Sequence, residues 1–260
     1  ACGPPRPCRA PADGGRAMPE LMIDAHVHLH PGDDPRDRLM QAHGRMMAAG
    51  MKDCLPVFML AEQQGCDAFG MLKASARSTA EPESLWLETG SADMLVLAGR
   101  QVVSAERLEI LALATAAGFA DGAPAEQLVE AMAAADALTI LPWGVGKWAG
   151  ARGRLVDRLL AGDPEGRLLL GDNGGRPAFW PERRFRHRAV LRGSDPLPLR
   201  GDARRIGTFG TILHGGLSAD RPGRDLRALI RSAGRQARHY GAPASPLHFL
   251  GNQLRLRMAS

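Results

Sequence analysis

The sequence predicts an α/β fold, a single TIM-like barrel of about eight strands, and three observations carry that expectation. Runs rich in Val, Ile and Leu alternate with stretches whose apolar residues fall three and four apart, the pattern of strand and helix units in a mostly parallel sheet covered on both faces. The chain has 260 residues, enough for one large barrel. No internal linker divides it, so one domain over residues 18–260 is preferred to two, with an open doubly wound sheet as the alternative.

The elements follow in order. Residues 1–17 are rich in Pro and Gly and read as a disordered or non-native leader, with Met18 as a candidate start. A strand is expected over Leu21 to His28, a helix over Arg36 to Met51, a strand over Asp53 to Leu60 and a helix over Cys66 to Arg77. The apolar runs Met94 to Val103 and Glu109 to Leu113 are separated only by Ser104 to Leu108, too short for a crossover helix, which predicts a hairpin. The clearest helix is Pro124 to Ala137, where Leu128, Val129, Met132 and Ala135 share a face. Strands Leu138 to Trp143, Arg167 to Gly171, Ala189 to Asp195 and Ile206 to His214 complete the barrel, with a helix over Arg152 to Ala161. The basic, amphipathic stretch from Arg224, helical to Tyr240 and continuing to Ser260, reads as a covering helix and tail.

Composition bounds the function. Hydrophobic residues make up 45% and charged ones 23%, which excludes a disordered or fibrous chain. The net charge is +5, but the basic residues are 30 Arg and only three Lys, Lys52, Lys73 and Lys147, a skew typical of a GC-rich, bacterial-type coding sequence. Aromatics are only 5% and are not interleaved with cations, so no nucleic acid partner is expected. No apolar run approaches a bilayer span, and no membrane partner is expected. Cys2, Cys8, Cys54 and Cys66 form no CxxC pair, which fits a reducing cytoplasm.

Two motifs carry chemistry. In Asp24-Ala25-His26-Val27-His28, strand alternation points both imidazoles to one face, where they can share a metal ion, with Asp24 orienting them from behind. In Gly193-Ser194-Asp195 a short strand ends in a Gly and an acid that would face the same mouth, completing two nitrogen donors and one carboxylate with positions left open. The bland alternatives are a strand cap for the histidines and a turn cap for Asp195, which Pro196 follows. Lys147, in a Gly-rich segment after a strand, and Arg176, after Asp172-Asn173-Gly174-Gly175, are candidate substrate clamps, and a solvated lysine and a plain turn are the competing readings.

These motifs resemble the PHP (polymerase and histidinol phosphatase) domain family. The likeness extends through Ala98 to Leu113, similar to that family's third-strand hairpin, to Arg205-Ile206-Gly207, and so spans most of residues 20–213. It implies a distorted (β/α)7 to (β/α)8 barrel, a site for up to three Zn, Mn or Fe ions, and phosphoester hydrolysis. Several ligand positions depart from the family. Gln101 stands where it has a metal-bridging Glu, Glu109 where a His follows, Leu141 in its His-Pro and Leu197 at the His after Gly-Ser-Asp. A reduced site of one or two divalent ions is therefore expected.

The function expected from the sequence is a metal-dependent hydrolase, a phosphoesterase, in which a bound ion lowers the pKa of its water to about 7. His26, His28 and Asp195 are the expected ligands, Glu109 and Asp172 the general base or extra ligand, and Lys147 and Arg176 the clamps. The substrate is expected to be a small molecule, with phosphorylated compounds among the candidates. A catalytically inactive barrel with a binding or regulatory role is the alternative, and an amidohydrolase the third choice, weakened because no His lies between His43 and His187.

Overall fold

The structure is a computed structural model that describes residues 19–48, 54–90, 93–199, 201–246 and 249–252. The predicted leader, Lys52 and the end of the tail lie outside the described residues. The chain runs β1 (Glu20–Val27), α1 (Pro35–Ala48), β2 (Cys54–Leu60), α2 (Ala68–Leu72), β3 (Arg77–Ser78), β4 (Ser84–Glu88), β5 (Asp93–Leu97), β6 (Gly99–Val103) and β7 (Glu109–Leu113). It continues through α3 (Ala125–Ala134), β8 (Leu138–Pro142), α4 (Gly150–Ala161), β9 (Leu169–Asn173), β10 (Val190–Gly193), β11 (Gly210–His214), α5 (Pro222–Ala233) and β12 (Arg238–Tyr240).

The fold is α/β, but the expected barrel does not close. The strands form two mixed sheets, one of seven in the order β12-β11-β1-β2-β5-β4-β3 and one of five in the order β10-β9-β8-β7-β6. The expected hairpin is present as the antiparallel pair β6 and β7. A core between the sheets takes Leu21, Ile23, Val57, Met59, Leu95 and Leu97 from the first and Leu111, Leu113, Ile140, Leu169 and Leu191 from the second, with Leu226 and Ile230 of α5. Helices α1 and α2 cover the outer face of the larger sheet, and α3 and α4 that of the smaller.

Closure fails for a local reason. The edge of β1 that β10 would need is occupied by antiparallel β11 over Glu20 to Ile23. β10 therefore meets β1 only above that ladder, where the Asp195 N–H donates to the His26 carbonyl at 2.8 Å. Gly193 permits the approach, since a Cβ there would lie 2.2 Å from the His26 nitrogen. On the other side the sheets join through Glu62, whose carbonyl accepts from Gln101 N–H and whose own N–H donates to Gly99. The run read as one strand from Met94 to Val103 breaks at Ala98, where the chain passes from one sheet to the other.

Two long helical readings are also shortened. The stretch from Cys66 gives only α2 and a 3-10 turn before Arg77 enters β3, its guanidinium over the Trp86 ring. The helix expected to reach Tyr240 stops at Ala233, because Gly234 adopts φ +52° and the following residues pair with β11 as β12. Arg227 of α5 is buried, donating to Glu83 at 2.7 Å and to the Ala114 carbonyl at 2.6 Å, and so ties α5 to the space between the sheets. Among the described residues no helix is long and apolar enough to cross a membrane.

Candidate metal centre

The site begins with a flaw in β1. Between Asp24 and Val27 three steps of β1 run against two of β2, from Phe58 to Leu60, so one extra residue is inserted. Before it, Leu21, Ile23 and Ala25 face the core between the sheets. After it, Val27 and Leu29 join Met22 in the outer core instead. The inversion turns His26 and His28 together toward the space between the sheets, as their spacing predicts, and leaves Asp24 behind them.

The structure brings the three expected ligands together. The donor atoms of His26, His28 and Asp195 all lie within 4.8 Å of one another. The two Nε2 atoms are 2.9 Å apart, and each is 3.5 Å from Asp195 Oδ1. Asn173 fixes the carboxylate from the other side, its Nδ2 donating to Asp195 Oδ2 at 2.8 Å and to the Trp143 carbonyl at 2.9 Å. Asp195 itself sits at φ +45°, a backbone conformation that a non-glycine residue holds only when its surroundings impose it.

Asp24 supplies the scaffold. It is fully buried and accepts from the Ser194 N–H at 2.7 Å, the Gly207 N–H at 2.8 Å and the His26 N–H at 3.3 Å, so it pins the segments that carry the ligands. Burial raises its carboxyl from 3.8 to about 6 against the pull of these bonds. Burial, with His26 next in weight, lowers His28 to about 3 and so keeps its ring neutral, the form that offers a lone pair to a metal. For Asp195 burial acts upward, but His26, His28, Lys147 and Arg205 outweigh it and hold the carboxyl below its usual value.

This donor set fits a divalent ion. Two buried imidazoles face each other across 2.9 Å, and a hydrogen bond between them uses only one nitrogen lone pair. The remaining nitrogen and carboxylate donors suit Zn, Mn or Fe. Gln101 Oε1 lies 3.3 Å from His26 Nε2, so the amide at the departed position touches the site as a neutral neighbour.

The other expected site residues divide. Glu109 and Lys147 form an ion pair with each other at the mouth, and Lys147 lines a cavity of about 190 Å³ with Trp143, Asn173, Asp195, Arg205 and Phe249. Asp172 and Arg176 do not line it. On β9, Leu169 faces the core between the sheets and Leu170 the outer one, so Asn173 points in and Asp172 out. There Asp172 binds Arg176 through two hydrogen bonds, at 2.6 and 2.9 Å, with Arg192 at 3.3 Å. The clamp and base expected of that pair are committed to each other. Asn173, the next residue of the same motif, lines the cavity instead, and strand parity is the signal that selects it. Arg205, which lines the cavity with Nη1 buried and lacking a hydrogen-bond partner among the described residues, carried no sequence signal of a site. A larger groove of about 630 Å³ between α3 and α4 holds none of the candidate ligands.

Neither a family model nor a curated protein sequence matches the chain. Its fold is similar to that of PsfC from Pseudomonas syringae PB-5123, with a TM-score of 0.54 and 12% identity over 94% of this chain and 100% of that one. It is also similar to the lesion-specific endonuclease PfuEndoQ from Pyrococcus furiosus, with a TM-score of 0.52 and 12% identity over 85% of this chain. The match spans 57% of the endonuclease chain. At this identity the likeness is one of fold alone. It also corrects the expected partners, a small molecule and no nucleic acid, since a protein of this fold is an endonuclease. Composition could not report that aromatics scattered in sequence gather in space, Trp180 standing 6.0 Å from Trp143 and 6.4 Å from Phe249.

Proposed function

We propose that the chain is a metal-dependent phosphoester hydrolase with His26, His28 and Asp195 as ligands of one divalent ion. The observation that carries this reading is the convergence of two buried imidazoles on one carboxylate oxygen beside an open cavity. A divalent ion held by these three residues would supply Lewis acidity toward a phosphoryl oxygen and toward water near neutral pH.

The remaining work falls to the chain. Asn173 holds Asp195 so that Oδ1 stays aimed at both histidines. Asp24 keeps Ser194, Gly207 and His26 in register, which limits movement of the ligands relative to one another. Arg205 and Lys147 place positive charge along the cavity, where a phosphoester anion is drawn in and oriented. Glu109 partly neutralises Lys147 and is the carboxylate available to accept a proton at the rim. Turnover is what separates this hydrolase from an inactive binding protein, since a cavity of about 190 Å³ lined by Trp143 and Leu197 as well as by Lys147 and Arg205 suits either.

The test is elemental analysis of untagged protein reconstituted with Zn or Mn, beside the His26→Ala/His28→Ala and Asp195→Ala variants, with hydrolysis of bis(p-nitrophenyl) phosphate as the activity readout. Near-stoichiometric metal and hydrolysis that both fall in the variants are expected. No metal uptake by the parent protein would overturn the reading.

A further inference from the structure

The described residues include five large hydrophobic side chains that are exposed, Met71, Val145, Phe179, Trp180 and Leu250. Isolated exposed apolar residues are ordinary, and their clustering is what carries information. Two of the five, Val145 and Trp180, stand at one rim, and two more adjoin it in the chain. Val145 lines the cavity beside Asp195. Trp180 packs edge-on against Trp143 and Phe249, both of which line the same cavity. Phe179 and Leu250 are the chain neighbours of Trp180 and Phe249, and Phe179 is 60% exposed.

The charge beside this apolar rim is positive. Arg183 and Arg186, a turn beyond Trp180, are exposed and make no side-chain ion pair among the described residues. Inside the cavity stand Lys147 and Arg205. Among the described residues Arg205 Nη1 is buried without a hydrogen-bond partner, and Asp202 Oδ2 is 3.9 Å from it. A buried guanidinium left short of acceptors is costly, and an entering anion relieves that cost.

We infer that this rim binds a single-stranded nucleic acid, with bases stacking on Phe179 and Trp180 and phosphates held by Arg183, Arg186 and, inside the cavity, Lys147 and Arg205. The inference names the substrate class of the proposed hydrolase and rests on that reading for the fate of the bound strand. Three features select this ligand. Exposed aromatic faces beside cations match the alternation of base and phosphate. The cavity, about 190 Å³, is smaller than the usual pocket for a whole ligand, so it takes a phosphate group and leaves the base outside on the rim. Bases inside a duplex have their faces covered by their neighbours, whereas an unpaired base offers a face to the rings. A lipid surface fits less well, because the unsatisfied guanidinium lies inside a cavity that a flat bilayer does not enter.

The test measures binding of an end-labelled oligonucleotide to the full chain by fluorescence anisotropy, in chelator so that no strand is cut. The single strand is expected to bind at least about tenfold tighter than the duplex of the same sequence. Phe179→Ala/Trp180→Ala is expected to weaken it roughly ten- to a hundredfold, the loss that removal of stacking carries; Phe179→Ala alone, whose ring is 60% exposed, is expected to weaken it with thermal unfolding unchanged. Arg183→Gln/Arg186→Gln is expected to lower the salt slope of binding by roughly 0.7 per arginine removed. Equal affinity for duplex or for inorganic polyphosphate, indifference to the aromatic variant, or equal capture by phosphatidylglycerol vesicles would each overturn the inference. Metal uptake and hydrolysis are read separately. A protein that binds strands but takes up no metal refutes the hydrolase alone, and one that hydrolyses but prefers no single strand refutes the rim alone.

Discussion

Replacing Gly193 by Ala tests both the junction of the two sheets and the site built on it. A Cβ at this position would stand 2.2 Å from the His26 nitrogen, 2.5 Å from its Cβ and 2.8 Å from the Ala25 carbonyl carbon. All three belong to β1, whose preceding residues are held between β2 and β11, so it has little room to step aside. β10 must therefore retreat by about 1 Å or more before ordinary van der Waals contact returns. That movement takes Ser194 from Asp24, a bond of 2.7 Å to a carboxylate, and Asp195 from the His26 carbonyl, a bond of 2.8 Å. The charged bond is worth about 1.5–3 kcal/mol, the neutral one about 1, and the forced overpacking costs about 1–3. The total, roughly 4–7 kcal/mol, is a large share of a domain's stability. Urea denaturation in chelator, followed by far-UV circular dichroism, should show that loss or an insoluble protein, and calorimetric titration of any folded fraction should show metal binding abolished. Gly118→Ala is the control, since Gly118 is exposed with no atom within 4 Å of an added Cβ, and it should lie within about 0.5 kcal/mol of the parent. A Gly193→Ala protein as stable as that control, binding metal equally well, would refute the crossing of β10 over β1 as the organiser of the site.

Two further outcomes follow from buried charges. Arg227→Met removes the partner of Glu83 and the donor to the Ala114 carbonyl, and should cost about 3–5 kcal/mol in the same denaturation assay because a buried carboxylate is left unpaired; a loss below about 1 kcal/mol would show that Glu83 finds water instead. Asp24 is raised from 3.8 to about 6, so the folded state holds its proton more tightly than the unfolded chain does. The stability this lends is full below the unfolded value and lost as the pH rises through about 6, an effect of about 3 kcal/mol. Asp24→Asn cannot titrate, so parent stability minus variant stability, measured in chelator, should fall by about that amount between roughly pH 4 and pH 7.5. A flat difference would show that Asp24 is ionised in the fold at all these values.

What the sequence made legible was set by range. The HxH spacing and the Gly-Ser-Asp terminus are local patterns, and the structure joins His26, His28 and Asp195 although the last two lie 167 positions apart. The hairpin of β6 and β7 was legible because its connection is too short for anything else. Barrel closure was not, because it depends on which strand occupies the edge of β1, and β11 comes from nearly 190 residues further along the chain. The error over Asp172 and Arg176 was one of parity. The run Leu168 to Leu170 is apolar throughout, so it does not reveal which residues face inward, and only packing shows that Asn173 shares the face of Leu169. Arg205 and the aromatic rim depend on contacts such as Trp180 with Phe249, which no local pattern reports.

The departures from local regularity bear on whether the centre is a working site or a relic. An extra residue interrupts β1 between Asp24 and Val27. Asp195 holds φ +45°. Asp24 is a carboxyl buried at a cost, and two buried imidazoles face each other at 2.9 Å, one held neutral down to about 3. Each is a local expense of folding, and all four lie around the same point. A fold relieved of chemistry would gain stability by losing three of them, since a regular strand, an apolar pair in place of the histidines and a glycine at the left-handed position all fit the same backbone. Consistent local preferences elsewhere and concentrated violations here are the pattern of a site whose strain is compensated by the rest of the fold. The ion that these donors fit is the ligand able to repay the burial of the histidines, because it satisfies both lone pairs and the carboxylate at once.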